Sequence, residues 1–337
     1  MTLLAHIADR VGNRPLMILP QKLAIIASVL DGRIGIESAG LVAKVGAMPA
    51  ATRSSPGPKH SQYFTRRGRG VAVIPVIGSL VNRGSFIDTM SGLTSYEWLR
   101  TAINAAIADD DVSSVVFDFD SAGGEAIGAF EVAEFVRQAA KIKPIGSSIS
   151  GLCCSAAFLI ASATSRIMIS TSSMAGSIGV VFCHFDRSKQ VEKAGVQPTF
   201  VFAGARKIDA NPFQELSEDV RDDIQREIDF YYALFVETVA AGRTNLSPDD
   251  IRATEARTYI GAEAVRVGLA DAVGSLADLV GEFSSLDTKV RNQKLGKYEM
   301  TERLYGSASA IHQRVQDAHL AGVRAGMAAA LSGRTAS

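Results

Sequence analysis

Between Val71 and Phe182, short apolar runs and amphipathic stretches take turns along the chain, and no other feature constrains the fold as much. VAVIPVIGSLV (71–81) reads as a buried strand entering a turn at Gly78. SYEWLRTAINAAIADDD follows as a helix closed by acids, SSVVFDFDS as a strand, GAFEVAEFVRQAAKI as a helix and PIGSSIS as another short strand. LCCSAAFLIASAT is a small-residue helix, and SRIMIST and GSIGVVF are further strands. Strand and helix in succession imply crossover connections between parallel neighbours, so the predicted class is α/β, with a mainly parallel sheet and flanking helices.

Beyond this core, TFVFAG predicts a strand, and 217–243 predicts the longest helix, with Val220, Ile224, Ile228, Tyr231, Leu234, Phe235 and Val239 at helical spacing. SPDDI begins a further helix, with Ser247 as N-cap and Pro248 in the first turn. The flanks read differently. Residues 1 to about 45 look helical, and 48–70 are rich in Pro, Ser, Gly and basic residues without periodicity, as in a linker. From about 285 large apolar residues thin out, which predicts a peripheral helical tail. The expected organisation is an N-terminal leader and linker over 1–70, one domain over 71–284 and a tail over 285–337.

Hydrophobic residues make up 47% of the chain and charged ones 21%, enough apolar material for a large core and too much for a disordered protein. The 35 basic and 35 acidic side chains cancel, which argues against whole-chain affinity for nucleic acid. The cancellation is between parts: 1–70 hold 10 basic and 3 acidic residues, 71–285 hold 17 and 28, and 286–337 hold 8 and 4. The basic arms are thus expected to make salt-sensitive contacts with the core, with partner proteins or with nucleic acid. Three Cys (153, 154 and 183) form neither an even framework nor a CxxC pair, which fits a reducing compartment. LAIIASVL is far short of the ~20 residues of a spanning helix, so a cytoplasmic protein without a membrane anchor is expected.

Three segments carry chemistry that becomes complementary if the fold unites them. Ser121-Ala122-Gly123-Gly124 follows the VVFDFD strand and presents backbone N–H groups, as an oxyanion hole does. Gly151 to Ala157 place the Ser155 hydroxyl at the start of a helix, where the Ser155 and Ala156 N–H groups and the helix dipole favour developing negative charge. Ala203 to Phe213 form a loop carrying Lys207. Taken singly, each has an ordinary reading: a turn, a packed Ser, a surface Lys. Of the five His, only His184 lies in the core, leaving a Ser155/His184/Asp186 triad as a secondary arrangement. No Walker A loop and no HExxH spacing occurs.

Together these segments resemble the Ser/Lys peptidases of the signal peptide peptidase A family, in particular the phage and prophage branch containing capsid assembly (prohead) proteases. The similarity runs from about 71 to 283. SAGGEA resembles the family's S-P-G-G segment with Ala122 in place of Pro, and CCSAAFLIASATSRIMIS resembles its nucleophile helix. AGSIGVV (175–181) matches a G-S-I-G-V strand entry, GARKIDANPFQELS resembles the loop of the general base, and TYIGAEAVRVGLADAVGSLADLV resembles the closing segment. NRPLMILPQKLAIIASVL is similar to the leader of the phage-type members.

The resemblance implies a Clp protease/crotonase-like fold with an N-terminal arm and a helical tail. It implies Ser155 as nucleophile, Lys207 as general base, Gly124 and Ala156 as oxyanion donors, and Gly123, Gly176 and Ser177 as substrate-binding residues. A Lys with a pKa of about 10.4 is charged at neutral pH, so this chemistry requires burial or a positive neighbour around Lys207. Neither metal nor organic cofactor is needed. The implied partners are an extended polypeptide, capsid or scaffold proteins, and further copies of the chain in a ring. Readings from other classes are a cellular-type signal peptide or protein-degrading peptidase, a crotonase-type acyl-CoA enzyme and a non-catalytic scaffold acting through its tail.

Overall fold

The computed structural model describes residues 12–31, 63–83 and 92–285. Its strands are β1 (Pro15–Ile18), β2 (Thr65–Arg67), β3 (Val71–Val81), β4 (Leu93–Ser95), β5 (Ser114–Glu125), β6 (Ile145–Cys154), β7 (Arg166–Ile169), β8 (Met174–Gly176), β9 (Val181–Phe182), β10 (Thr258–Ile260) and β11 (Ala272–Val273). The helices are α1 (Pro20–Asp31), α2 (Tyr96–Ala108), α3 (Ala129–Ala139), α4 (Ala156–Ser162), α5 (Ser188–Lys193), α6 (Glu218–Gly242), α7 (Pro248–Arg252), α8 (Ala262–Arg266) and α9 (Leu276–Ser285).

The sheet is mainly parallel, with β4 parallel to β3 and β11 to β7. β5 runs parallel to both β3 and β6, and β6 runs parallel to β7 and β8. β2 on β3, β10 on β8, and β1 on both β5 and β9 are antiparallel. The period-2 side-chain alternation sorts β3 and β5 between two cores. Ala72, Ile74, Val76, Val115, Phe117 and Phe119 join the large core beneath α2, α3, α4 and α6. Val71, Val73 and Val116 face the other way, onto Leu279, Val280 and Phe283 of α9. Covering both faces explains why the first halves of these strands, VAVI and SVVF, are apolar on successive residues.

The helices follow their caps. The Ser95 side chain accepts a hydrogen bond from the Trp98 N–H at the start of α2 (3.1 Å), and Ser247 and Asp250 close a capping box on α7. In α6 the apolar stripe is used unevenly: Leu234, Phe235, Val236 and Val239 are buried, whereas most of the first half faces solvent.

Several sequence expectations need correction. A strand, β1, precedes the helix in the N-terminal region, where the periodicity suggested helix alone. Gly78 turns no corner; β3 continues through it with a register shift between Ile77 and Ser79. β5 runs on through SAGGE instead of turning after Ser121, because β3, β6 and β1 all supply ladder partners there. GSIGVVF is broken between β8 and β9, and TFVFAG (199–204) forms no strand; among the described residues none pairs with it. Of the linker expected over 48–70, residues 65–67 instead form β2 against β3, while 48–62 and the tail over 286–337 lie outside the described residues.

Candidate active site

Ser155 stands at the junction of β6 and α4 with φ 57° and ψ −121°. A non-glycine residue in this region is strained, and such strain persists only where the surroundings impose it. They do so here. The last residues of β6 pair with β8 (Cys154 opposite Gly176), and the Ser155 N–H donates to the Gly176 carbonyl at 2.8 Å. On the other side the Leu159 N–H donates to the Ser155 carbonyl at 3.0 Å, starting α4. The side chain is buried, and among the described residues its hydroxyl makes a long contact, 3.4 Å, to the Gly179 carbonyl. It is therefore held in place but scarcely engaged.

α4 consists entirely of buried residues, and small ones let it pack end-on beneath Ser155. The Ala156 N–H lies in its first turn, where no intrahelical carbonyl can accept it. Opposite stands the extension of β5. Gly123 has φ +97°, and a Cβ there would sit 2.2 Å from the Met17 carbonyl oxygen, 2.9 Å from the Cys154 carbonyl oxygen and 3.0 Å from Ser155 Cβ. The Gly123 N–H is already used, donating to Ser121 Oγ at 3.2 Å, while that hydroxyl donates to the Gly78 carbonyl at 2.6 Å. Gly124 lies against the backbone of Leu80 so closely that its Cβ would be 1.8 Å from the Leu80 oxygen. Glycine is required at both positions by close backbone approach.

Gly176 holds Ser155, and Ser177 follows it in the chain. Gly176 supplies the carbonyl just described, and the Ser177 N–H donates to the Arg257 carbonyl at 2.8 Å. Ser155, Ala156, Gly123 and Gly176 thus lie together, with Gly124 next along β5.

Lys207 stands apart in its environment. It is exposed, in a turn where its N–H donates to the Gly204 carbonyl at 3.0 Å, and among the described residues no hydrogen bond joins it to Ser155. Its loop is tethered to α6 by Arg206, which pairs with Asp219 and Asp223 at 3.0 Å and with Asp209 at 3.2 Å. The alternative triad is not formed: His184 contacts Asn13 Oδ1 (3.2 Å) and the Gln214 carbonyl (3.4 Å), and Asp186 accepts from the Ser188 N–H at 2.8 Å. Cys154 is a poor nucleophile, because burial pushes its thiol up to about 12.

The neighbour that the sequence reading missed is β1, whose Met17 carbonyl approaches Gly123. The signal was present: PLMIL is an apolar run bounded by Pro15 and Pro20, too short for a helix.

Ser155 thus stands strained at a strand–helix junction, beside Gly123 at the end of β5 and at the start of α4. The model of peptidase family S49 matches residues 137–290 of this chain. It is 33% identical over 319 residues to the head-tail preconnector protein GP5 of Enterobacteria phage P21, covering 93% of this chain and 63% of that protein. It is 34% identical over 285 residues to the capsid assembly protease C of Escherichia phage lambda, covering 82% of this chain and 64% of that protein. Protease 4 of Haemophilus influenzae is 27% identical over 219 residues, covering 64% of this chain and 34% of that protein. The chain thus spans less than two thirds of the length of the phage relatives. No described helix is long and apolar enough to cross a membrane.

Proposed function

We propose that the chain is a serine endopeptidase that cleaves phage capsid or scaffold polypeptides during prohead maturation, with Ser155 as nucleophile and Lys207 as general base. The observation that carries this reading is the strained, buried Ser155 facing the Gly123–Gly124 strand and the start of α4. Ser155 Oγ attacks a peptide carbonyl and its proton passes to the neutral Lys207 amine. The oxyanion is held by the Gly124 and Ala156 N–H groups, worth about 3–4 kcal/mol per donor in comparable sites. Lys207 then protonates the leaving amine, and water resolves the acyl-enzyme.

A neutral Lys207 needs desolvation that the exposed loop of one chain does not supply. Phe200, Val201 and Phe202, just before it, are exposed apolar residues, which supports assembly of several chains as the step that buries this loop. The names of the phage relatives support capsid proteins as substrates, and a maturation role puts the enzyme in the host cytoplasm or inside the procapsid. The peptidase core over 71–284 would act between two basic arms, whose charge suits salt-sensitive contacts with capsid proteins or packaged nucleic acid.

The test is co-expression with the neighbouring structural proteins and mass spectrometry of all products. Cleavage products that disappear with Ser155→Ala and with Lys207→Ala support the dyad. Products unchanged in either variant would remove that residue from the mechanism.

A further inference from the structure

The β1 strand stands in the position an extended substrate would need. It is antiparallel to both Gly123–Glu125 and β9, and among the described residues β9 has no other strand partner. β1 therefore fills a slot whose two walls are the predicted oxyanion segment and the strand that follows GSIGV. The Leu19 N–H donates to the Ala122 carbonyl at 2.9 Å, and the Ala126 N–H donates to the Pro15 carbonyl at 3.5 Å. Hydrogen-bonded pairs recur at every second residue of an antiparallel ladder, so Met17 and Gly124, opposite one another midway, form the pair between these two. The Gly124 N–H thereby faces the Met17 carbonyl. That carbonyl oxygen and Ser155 Cβ converge on one point beside Gly123, 2.2 Å and 3.0 Å from it. The Met17 side chain is fully buried in the main core, whereas Leu16 and Ile18 point to the opposite side, in a cluster with Leu23, Ile26, Val181 and Cys183.

We infer that Pro15–Ile18 is an internal occupant of the peptide-binding slot, lying as a substrate lies, with Met17 in the pocket for the residue whose carbonyl faces Ser155. A substrate strand enters by displacing β1. The pocket that Met17 fills selects an apolar, unbranched side chain at that substrate position. β1 is thus both an autoinhibitory strap and a record of specificity. The inference rests on Ser155 being the nucleophile.

The test follows the rate at which a fluorophosphonate probe labels the full chain. Met17→Glu puts a charge in an apolar pocket and expels β1, so labelling rises several-fold over the wild type. A synthetic peptide with the sequence of residues 14–20, RPLMILP, slows the variant back toward the wild-type rate, and the same peptide carrying Glu in place of Met does not. Met17→Ala gives a smaller acceleration and serves if the Glu variant does not unfold cooperatively. Labelling no faster than wild type in a cooperatively folded variant, or acceleration that RPLMILP leaves untouched, overturns the inference while leaving Ser155 in place. Labelling that survives Ser155→Ala overturns the nucleophile and the inference with it.

Discussion

Replacing Gly124 by Ala adds one methyl group at the point where β3 and β5 come closest. The new Cβ would lie 1.8 Å from the Leu80 oxygen, 2.5 Å from its carbonyl carbon and 2.7 Å from its nitrogen. All three are backbone atoms, so no rotamer change relieves the clash. Leu80 itself is fully buried and cannot recede. β5 must move by on the order of 1 Å toward β1 and Ser155, and a shift of that size can cost about 100-fold in rate. The added volume destabilises by about 1–3 kcal/mol. At about 2–4 °C per kcal/mol for a domain of this size, the melting temperature falls by about 2–12 °C. Gly281→Ala is the matched control, because Gly281 is helical and its Cβ would meet nothing within 4 Å. It is expected to gain up to about 1 kcal/mol and leave the rate unchanged. Peptide hydrolysis (kcat/KM) and thermal unfolding of both variants decide the matter. A Gly124→Ala protein as active as the wild type would refute the assignment of this strand to the oxyanion site.

Other outcomes follow from the packing and the ionic contacts. Arg243 donates to Asp271 Oδ1 (2.6 Å) and the Ile167 N–H donates to Oδ2 (2.6 Å). Burial alone would raise the Asp271 pKa, but these hydrogen bonds and the charges of Arg243 and Arg166 outweigh it and hold the carboxyl below its ordinary value. A depressed folded pKa stabilises above the unfolded value and loses that contribution as pH falls through the folded one. Asp271→Asn should therefore cost about 2–3 kcal/mol at pH 7, with the gap from wild type narrowing below about pH 4, as read from denaturant midpoints. Phe283→Ala empties the centre of the smaller core and should cost about 3 kcal/mol or more in the same assay. Alkylation of the folded protein at pH 8 should modify the partly exposed Cys183 and spare the buried Cys153 and Cys154 until denaturant is added.

The centre of the fold was legible because β3, β5 and β6 carry apolar runs, VAVI, SVVF and the isoleucines of IGSSI, packed between helices. The site was legible in pieces: Gly123, Gly124, Ser155 and Gly176 lie at strand ends, where glycine and a lone hydroxyl stand out against apolar text. The reading fell short where structure depends on a distant partner. Pro15–Ile18 is a strand only because β5 and β9 flank it, more than a hundred residues away in the chain. TFVFAG has strand-like residues, yet among the described residues no strand pairs with it. Lys207 carries no local mark in the sequence, and in the structure it stays exposed.

The most direct test of the account is to trap the acyl-enzyme. Incubation with an activated peptide ester, rapid acid quench and mass spectrometry of the proteolysed protein should find the acyl group on Ser155. The adduct should vanish in Ser155→Ala and form far more slowly in Lys207→Ala. An acyl group on another residue, or hydrolysis that persists in Ser155→Ala, would contradict the assignment of this strained serine as the nucleophile.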